Sequence, residues 1–131
     1  MRHYYYNKFG AHKKEVDDRV FDSILEADRY IFLKEAEKKG IISDLRCQVP
    51  YELIPAQWET ITIQQKTKAK EIRRCKERAV KYIADFVYIF NGKEIIEDTK
   101  GIVTKEYSIK RKLMRYQGHP IREIKNAKEG I

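Results

Sequence analysis

Apolar and polar positions along this chain switch between a two-residue and a helical period, and the switches mark its elements. Residues 1–22 alternate aromatic and polar side chains as far as Val16-Asp17-Asp18-Arg19-Val20-Phe21. That predicts a short hairpin turning near Asp17-Asp18. Ser23 then opens a helix expected over roughly 24–39. Ser23-Ile-Leu-Glu26 has the spelling of a capping box, with a hydroxyl at N-cap and a carboxylate at N3. Ala27, Tyr30, Ile31 and Leu33 form its apolar stripe, and Gly40 suits the position after its end. Leu45, Cys47, Val49, Tyr51 and Leu53 alternate with polar residues, which predicts a strand. Pro50 within it calls for an edge position or a bulge. Trp58, Ile61 and Ile63 mark another strand. The basic stretch 64–78 reads either as a loop or as a short helix turning Ile72 and Cys75 inward.

From Ala79 to Phe90 the chain is almost wholly apolar, β-branched and aromatic. That suits a central strand covered on both faces. Asn91-Gly92 is a strong hairpin signal, so Lys93–Thr99 pairs back against it. A second helix is expected over roughly 105–117, with Thr104 as its N-cap and Ile109, Leu113 and Tyr116 on one face. Gly118-His119-Pro120 stops it. Ile121–Ile124 adds a short strand, and the tail is expected to fray. The order predicts an α/β fold in a single domain, a mixed β-sheet flanked by helices.

Composition narrows the classes. The 131 residues include 28 basic and 20 acidic side chains, a net charge of +8. Nine tyrosines, five phenylalanines and one tryptophan argue against a disordered chain. No apolar run approaches the ~18 residues of a membrane span, and the Met-Arg-His-Tyr-Tyr-Tyr opening does not read as a secretory signal. Two cysteines, Cys47 and Cys75, are too few for a disulfide framework or a zinc knuckle. The expectation is a soluble cytoplasmic protein, in the host cytoplasm if a phage encodes it.

The charge is also localised. Lys66, Lys68, Lys70, Arg73, Arg74, Lys76, Arg78 and Lys81 are opposed only by Glu71 and Glu77. Lys105, Lys110, Arg111, Lys112 and Arg115 are opposed only by Glu106. Such clusters attract polyanions by releasing counterions, or they are solvated faces that keep a protein soluble. Tyr4, Tyr5 and Tyr6 either stack on unpaired bases or pack on the sheet. His3, His12 and His119 lack the spacing of a metal site.

One residue is out of place. Asp85 interrupts the most apolar strand, where a carboxylate is costly unless paired or bound to a cation. If the hairpin closes at Asn91-Gly92, Asp98 faces Asp85, and Lys100 shares the face of Asp98 because strand side chains repeat every second residue. Two hard oxygen donors with an ammonium beside them suit Mg²⁺ or Mn²⁺. Lys100 would then orient or deprotonate an attacking water, or stabilise developing charge. Glu97 points to the other face of a regular strand, toward a salt bridge or an edge; a bulge would exchange it with Asp98.

Asp85 followed across a hairpin by Asp98-Thr99-Lys100 resembles the PD-(D/E)xK motif of restriction-endonuclease-like nucleases. The spacing resembles that of archaeal-type Holliday-junction resolvases. Phe21-Asp-Ser-Ile-Leu-Glu-Ala-Asp-Arg-Tyr30, Glu77-Arg-Ala-Val-Lys-Tyr-Ile-Ala-Asp-Phe86 and Ile95-Ile-Glu-Asp-Thr-Lys-Gly101 together resemble an uncharacterised phage family of that superfamily, over roughly residues 7–117. The motif's proline is replaced by Ala84. The resemblance implies a restriction-endonuclease-like sheet and a metal-dependent deoxyribonuclease leaving 5′-phosphate and 3′-hydroxyl ends. It also places a carboxylate of the first helix beside the metal, and Glu26 is the matching position, with a role in the capping box as the alternative. In nucleases of this fold the helix after the motif lies near the site, so Tyr107, Lys110, Arg111 and Arg115 are candidate phosphate contacts, or else a solvated basic face.

Two functions follow. The first is a Mg²⁺- or Mn²⁺-dependent DNA endonuclease using Glu26, Asp85, Asp98 and Lys100, acting on branched or junction DNA as a homodimer with Lys66–Arg78 gripping the duplex. The second is a catalytically inactive nucleic-acid-binding or viral interaction module on the same fold. Facing carboxylates repel DNA in the absence of a metal, which favours the enzyme.

Overall fold

The computed structural model describes residues 4–6 and 12–131. Its elements are β1 (Tyr4–Tyr6), β2 (His12–Val16), β3 (Arg19–Phe21), α1 (Ile24–Lys38), β4 (Ser43–Ile54), β5 (Gln57–Gln64), β6 (Ala69–Glu77), β7 (Val80–Phe90), β8 (Lys93–Thr99), α2 (Lys105–Tyr116) and β9 (Ile121–Ile124). The described residues form two compact units, one within 1–49 and 83–131 and one of 50–82.

The fold is α/β with a mixed sheet. Four strands run in the order β4-β7-β8-β9, with β7 and β8 antiparallel and β8 and β9 parallel. The Pro50-containing β4 is an edge strand, as a missing ladder donor requires. Asn91 (φ 49°) and Gly92 (φ 75°) make the left-handed turn that matches strand twist, and the hairpin closes with Phe86 opposite Glu97 and Phe90 opposite Lys93. A second sheet, β1-β2-β3, is antiparallel and turns at Asp17 and Asp18, both with positive φ. The short hairpin expected near the N-terminus is its β2-β3 pair.

Both helices begin and end as their sequences predict. Ser23 Oγ accepts from the Glu26 amide at 3.1 Å, and Thr104 Oγ1 from the Tyr107 amide at 3.1 Å. At the other ends Gly40 and Gly118 have positive φ, and the next amides bond back to the Ala36 and Met114 carbonyls. The core of the larger unit gathers Phe21, Ala27, Tyr30, Leu33, Ala36, Ile42, Phe86 and Tyr88. The rings of Phe21 and Tyr30 lie 5.0 Å apart.

Three expectations change. The stretch 64–78 is neither loop nor helix: Gln65–Lys68 is a turn, and β6 pairs antiparallel with β5. Its alternation is masked because both faces of β6 carry charge; Ile72 is half-buried and Cys75 exposed, on opposite faces. In α2 the inward residues are Tyr107 and Met114, while Ile109 and Tyr116 are exposed. The sheet takes the partly polar face because Tyr107 and Arg111 both find Glu123 on β9. The tail is tied down, since Arg29 donates to the carbonyls of Ala127 and Glu129. Among the described residues no helix is long and apolar enough to cross a membrane.

Candidate active site

The hairpin register that pairs Phe86 with Glu97 brings Asp85 to the end of β8. There its Oδ2 accepts from both the amide and the hydroxyl of Thr99, each at 2.9 Å. The carboxylate thus replaces the ladder bond that the strand end would otherwise leave open. Asp98 is buried one residue earlier, and Lys100 Nζ lies 3.3 Å from its Oδ1. Lys100 also sits 4.4 Å above the ring of Tyr107, a cation–π contact that fixes the ammonium beside Asp98.

Glu26, from the first turn of α1, is buried on the same side. Only half of the capping box forms. Ser23 takes the Glu26 amide, but the Glu26 carboxylate accepts from Gln48 Nε2 at 2.9 Å. The same amide nitrogen reaches Asp85 Oδ1 at 3.5 Å. Gln48 has φ 54°, a left-handed conformation that costs a non-glycine residue ~1 kcal/mol or more. Such strain in a strand re-aims a side chain, here onto two carboxylates. A hollow of about 310 Å³ adjoins, lined by Arg19, Asp22, Glu26, Cys47 and Gln48 among others.

The electrostatics record the crowding. Burial, then the charges of Asp85, Asp22 and Asp98, push Glu26 up to about 8. Burial and Asp98 raise Asp85, partly offset by its Thr99 bonds. Burial, Asp98 and Glu123 raise the Tyr107 hydroxyl. Glu26, Asp85 and Asp98 offer carboxylate oxygens, the donor type that a hard divalent cation takes. Among the described residues no three His, Cys, Asp or Glu side chains are already gathered into a metal shell.

A raised carboxyl costs stability wherever the unfolded chain ionises and the folded one does not. For Glu26 that window runs from the usual 4.5 to about 8. The folded state holds the extra proton there, so stability falls as pH rises. Glu26→Gln is expected to remove this slope and raise Tm at pH 8 by on the order of 10 °C, with no gain at pH 4. Melting curves from pH 4 to 9 check it; parallel profiles for the two proteins would count against a crowded Glu26.

The remaining expected residues separate. Tyr107 is buried, and its hydroxyl donates to Glu123 at 3.1 Å, so it is a platform under Lys100 rather than a surface phosphate contact. Lys110 pairs with Glu106 at 3.0 Å and Arg111 with Glu123 at 2.6 Å, while Arg115 is exposed. Lys66, Lys68, Lys70, Arg73, Arg74, Lys76 and Arg78 belong to the unit 50–82 and are exposed. Glu97 faces away from Asp98 and is fully buried against Arg29. The side chains of Tyr4–Tyr6 and His12, and all of His3, lie outside the described residues. Sequence reasoning missed Gln48, Thr99 and Glu123. Thr99 was open to inference as the residue between Asp98 and Lys100; Gln48 has no signal but its place in a strand beside Pro50.

The match to a known family is broad. Residues 6–128 match the family described as a protein of unknown function, DUF1064. The chain belongs to this family. No curated protein and no solved structure matches it. The family match spans Glu26, Gln48, Asp85, Asp98 and Lys100 alike, so the whole site lies within the shared region.

Proposed function

We propose that this protein is a metal-dependent DNA endonuclease of the PD-(D/E)xK type. The observation that carries the reading is a buried Glu26 made harder to ionise by Asp85 and Asp98, and an Asp85 made harder to ionise by Asp98, beside Lys100. A carboxylate cluster of this kind is a poor surface for a phosphodiester unless its charge is offset. Glu26, Asp85 and Asp98 would hold Mg²⁺ or Mn²⁺, which supplies Lewis-acid polarisation of the phosphate and a more acidic bound water. Thr99 fixes the rotamer of Asp85, and Gln48 spans Glu26 and Asp85. Lys100, held over Tyr107, orients the attacking water and neutralises charge developing on the phosphate.

The substrate we propose is branched or junction DNA, cut by a homodimer that brings two active sites to two strands. The basic β5-β6 hairpin would supply affinity without sequence preference. In a cleavage assay, labelled linear duplex, single-stranded, flap and four-way-junction DNA are incubated with Mg²⁺, Mn²⁺ or EDTA. Cutting is expected with metal alone, and on branched substrates first. Lys100→Met is expected to lower the rate by about 10²–10³-fold while leaving the rise of Tm with Mg²⁺ in place. Binding of every substrate with cutting of none would instead identify a nucleic-acid-binding module.

A further inference from the structure

We propose that Trp58 and Arg73, on the β5-β6 hairpin, form a stacking platform for unpaired bases. The inference rests on the nucleic-acid part of the proposed function and names the feature of the substrate that this unit reads.

The argument starts from the register. Ile61 lies opposite Ile72, Ile63 opposite Lys70 and Glu59 opposite Arg74, so these side chains share one face of the hairpin. Glu59, Ile61 and Ile72 are each half-buried, and Arg74 bonds Glu59 at 2.5 Å. The hairpin's aliphatic residues are therefore on this face. Trp58 lies opposite Cys75, on the other face, with Thr60, Thr62, Glu71 and Arg73. It is 51% exposed, and the Arg73 guanidinium lies 4.6 Å from its ring centre.

The indole is open on a face that carries none of the hairpin's isoleucines, so it is free to meet a partner. Its surroundings state which partner would cover it. The turn carries Lys66 and Lys68, and β6 adds Arg73 on the face of Trp58, all exposed, while Lys70 and Arg74 lie on the hairpin's other face. An aromatic ring with a stacked guanidinium in a basic strand surface is the combination that holds single-stranded nucleic acid. The cations meet phosphates, and each base offers a π-face whatever its sequence. A blunt duplex keeps its bases stacked on one another and offers the ring none. Unpaired nucleotides at a flap, gap or junction do.

The chain has one tryptophan, so its fluorescence reports this position directly. The full-length protein is titrated in EDTA, which holds cleavage off, with a single strand, a blunt duplex of the same length and a flap. Quenching is expected with the single strand and the flap, and little with the duplex. By anisotropy of labelled DNA, Trp58→Ala is expected to weaken single-strand and flap binding ~5- to 100-fold with duplex binding within about twofold. Trp58→Phe, which keeps a ring, is expected to recover most of the loss. Equal quenching by duplex and single strand, or unchanged single-strand affinity of Trp58→Ala, overturns the proposal. So does a change of sedimentation coefficient in Trp58→Ala with DNA binding intact, which would mark a surface between copies of this chain. Stacking without any cleavage when metal is restored would remove the nuclease reading and leave this one standing. Cleavage with a silent Trp58 would do the reverse.

Discussion

Asp98→Asn is expected to abolish metal-dependent cleavage without unfolding the protein. The loss should exceed the ~10–100-fold that is typical when a residue one shell away from a metal is changed. The same substitution removes a charge that raises both Glu26 and Asp85. Against this it gives up a pair with Lys100, but that ammonium is 29% exposed and keeps its contact with the Tyr107 ring, so it is not left as a buried unpaired charge. The variant is therefore expected to unfold no lower than the wild type in EDTA. Mg²⁺, which by linkage raises Tm of a folded-state binder, should raise it only in the wild type. Three readings on one pair of proteins check this: cleavage rate, Tm in EDTA, and Tm in millimolar Mg²⁺. A variant that melts far below the wild type would make Asp98 a structural residue, and one that cuts at the wild-type rate would remove it from the site.

Local chemistry made part of this site legible. Asn91-Gly92 closes a hairpin in one register, and that register is enough to carry Asp85 to the strand that holds Asp98 and Lys100. Serine, threonine and glycine at the helix ends act on their own neighbours, so the spans of α1 and α2 followed from the sequence as well. What stayed hidden depends on distant partners. Gln48 reaches Glu26 only because β4 adopts a positive φ there, and Tyr107 turns inward because Glu123 waits on β9. The β5-β6 hairpin was obscured for another reason. A strand with charge on both faces shows no period of two, so 64–78 carried a basic signature but no structural one. Glu97 could be read only as facing away from Asp98; its partner lies 68 residues earlier.

That partner carries the largest expected effect on stability. Arg29 and Glu97 are both fully buried and meet through two parallel bonds, 2.8 Å from Nε and 2.6 Å from Nη2. Tyr88 donates to the same carboxylate, and Arg122 stands 3.5 Å away. The remaining guanidinium nitrogen donates to the Ala127 and Glu129 carbonyls, at 3.1 and 2.5 Å. One side chain thus joins α1, β8 and the C-terminal tail. A buried pair of this kind gains little over an apolar one, because desolvation consumes most of the attraction. Removing one partner is different: Arg29→Ala leaves Glu97 charged without its buried partner, and a loss of ~3–5 kcal/mol is expected. Denaturant midpoints at an unchanged m-value measure it. Trypsin should also cut earlier at Lys125 and Lys128 once the tail is untied. Arg29→Met combined with Glu97→Leu should recover part of the stability but not the tail's protection, since the apolar pair replaces the charges but neither the carbonyl bonds nor the acceptor of the buried Tyr88 hydroxyl. Glu97 and Asp98 are neighbours on opposite faces of β8, so their substitutions should diverge. Changes at Glu97 should lower the unfolding midpoint while the folded protein still answers to Mg²⁺, and Asp98→Asn should keep the midpoint and lose the answer. If Arg29→Ala unfolds within about 1 kcal/mol of the wild type, the Arg29–Glu97 pair does not hold the tail and the sheet together.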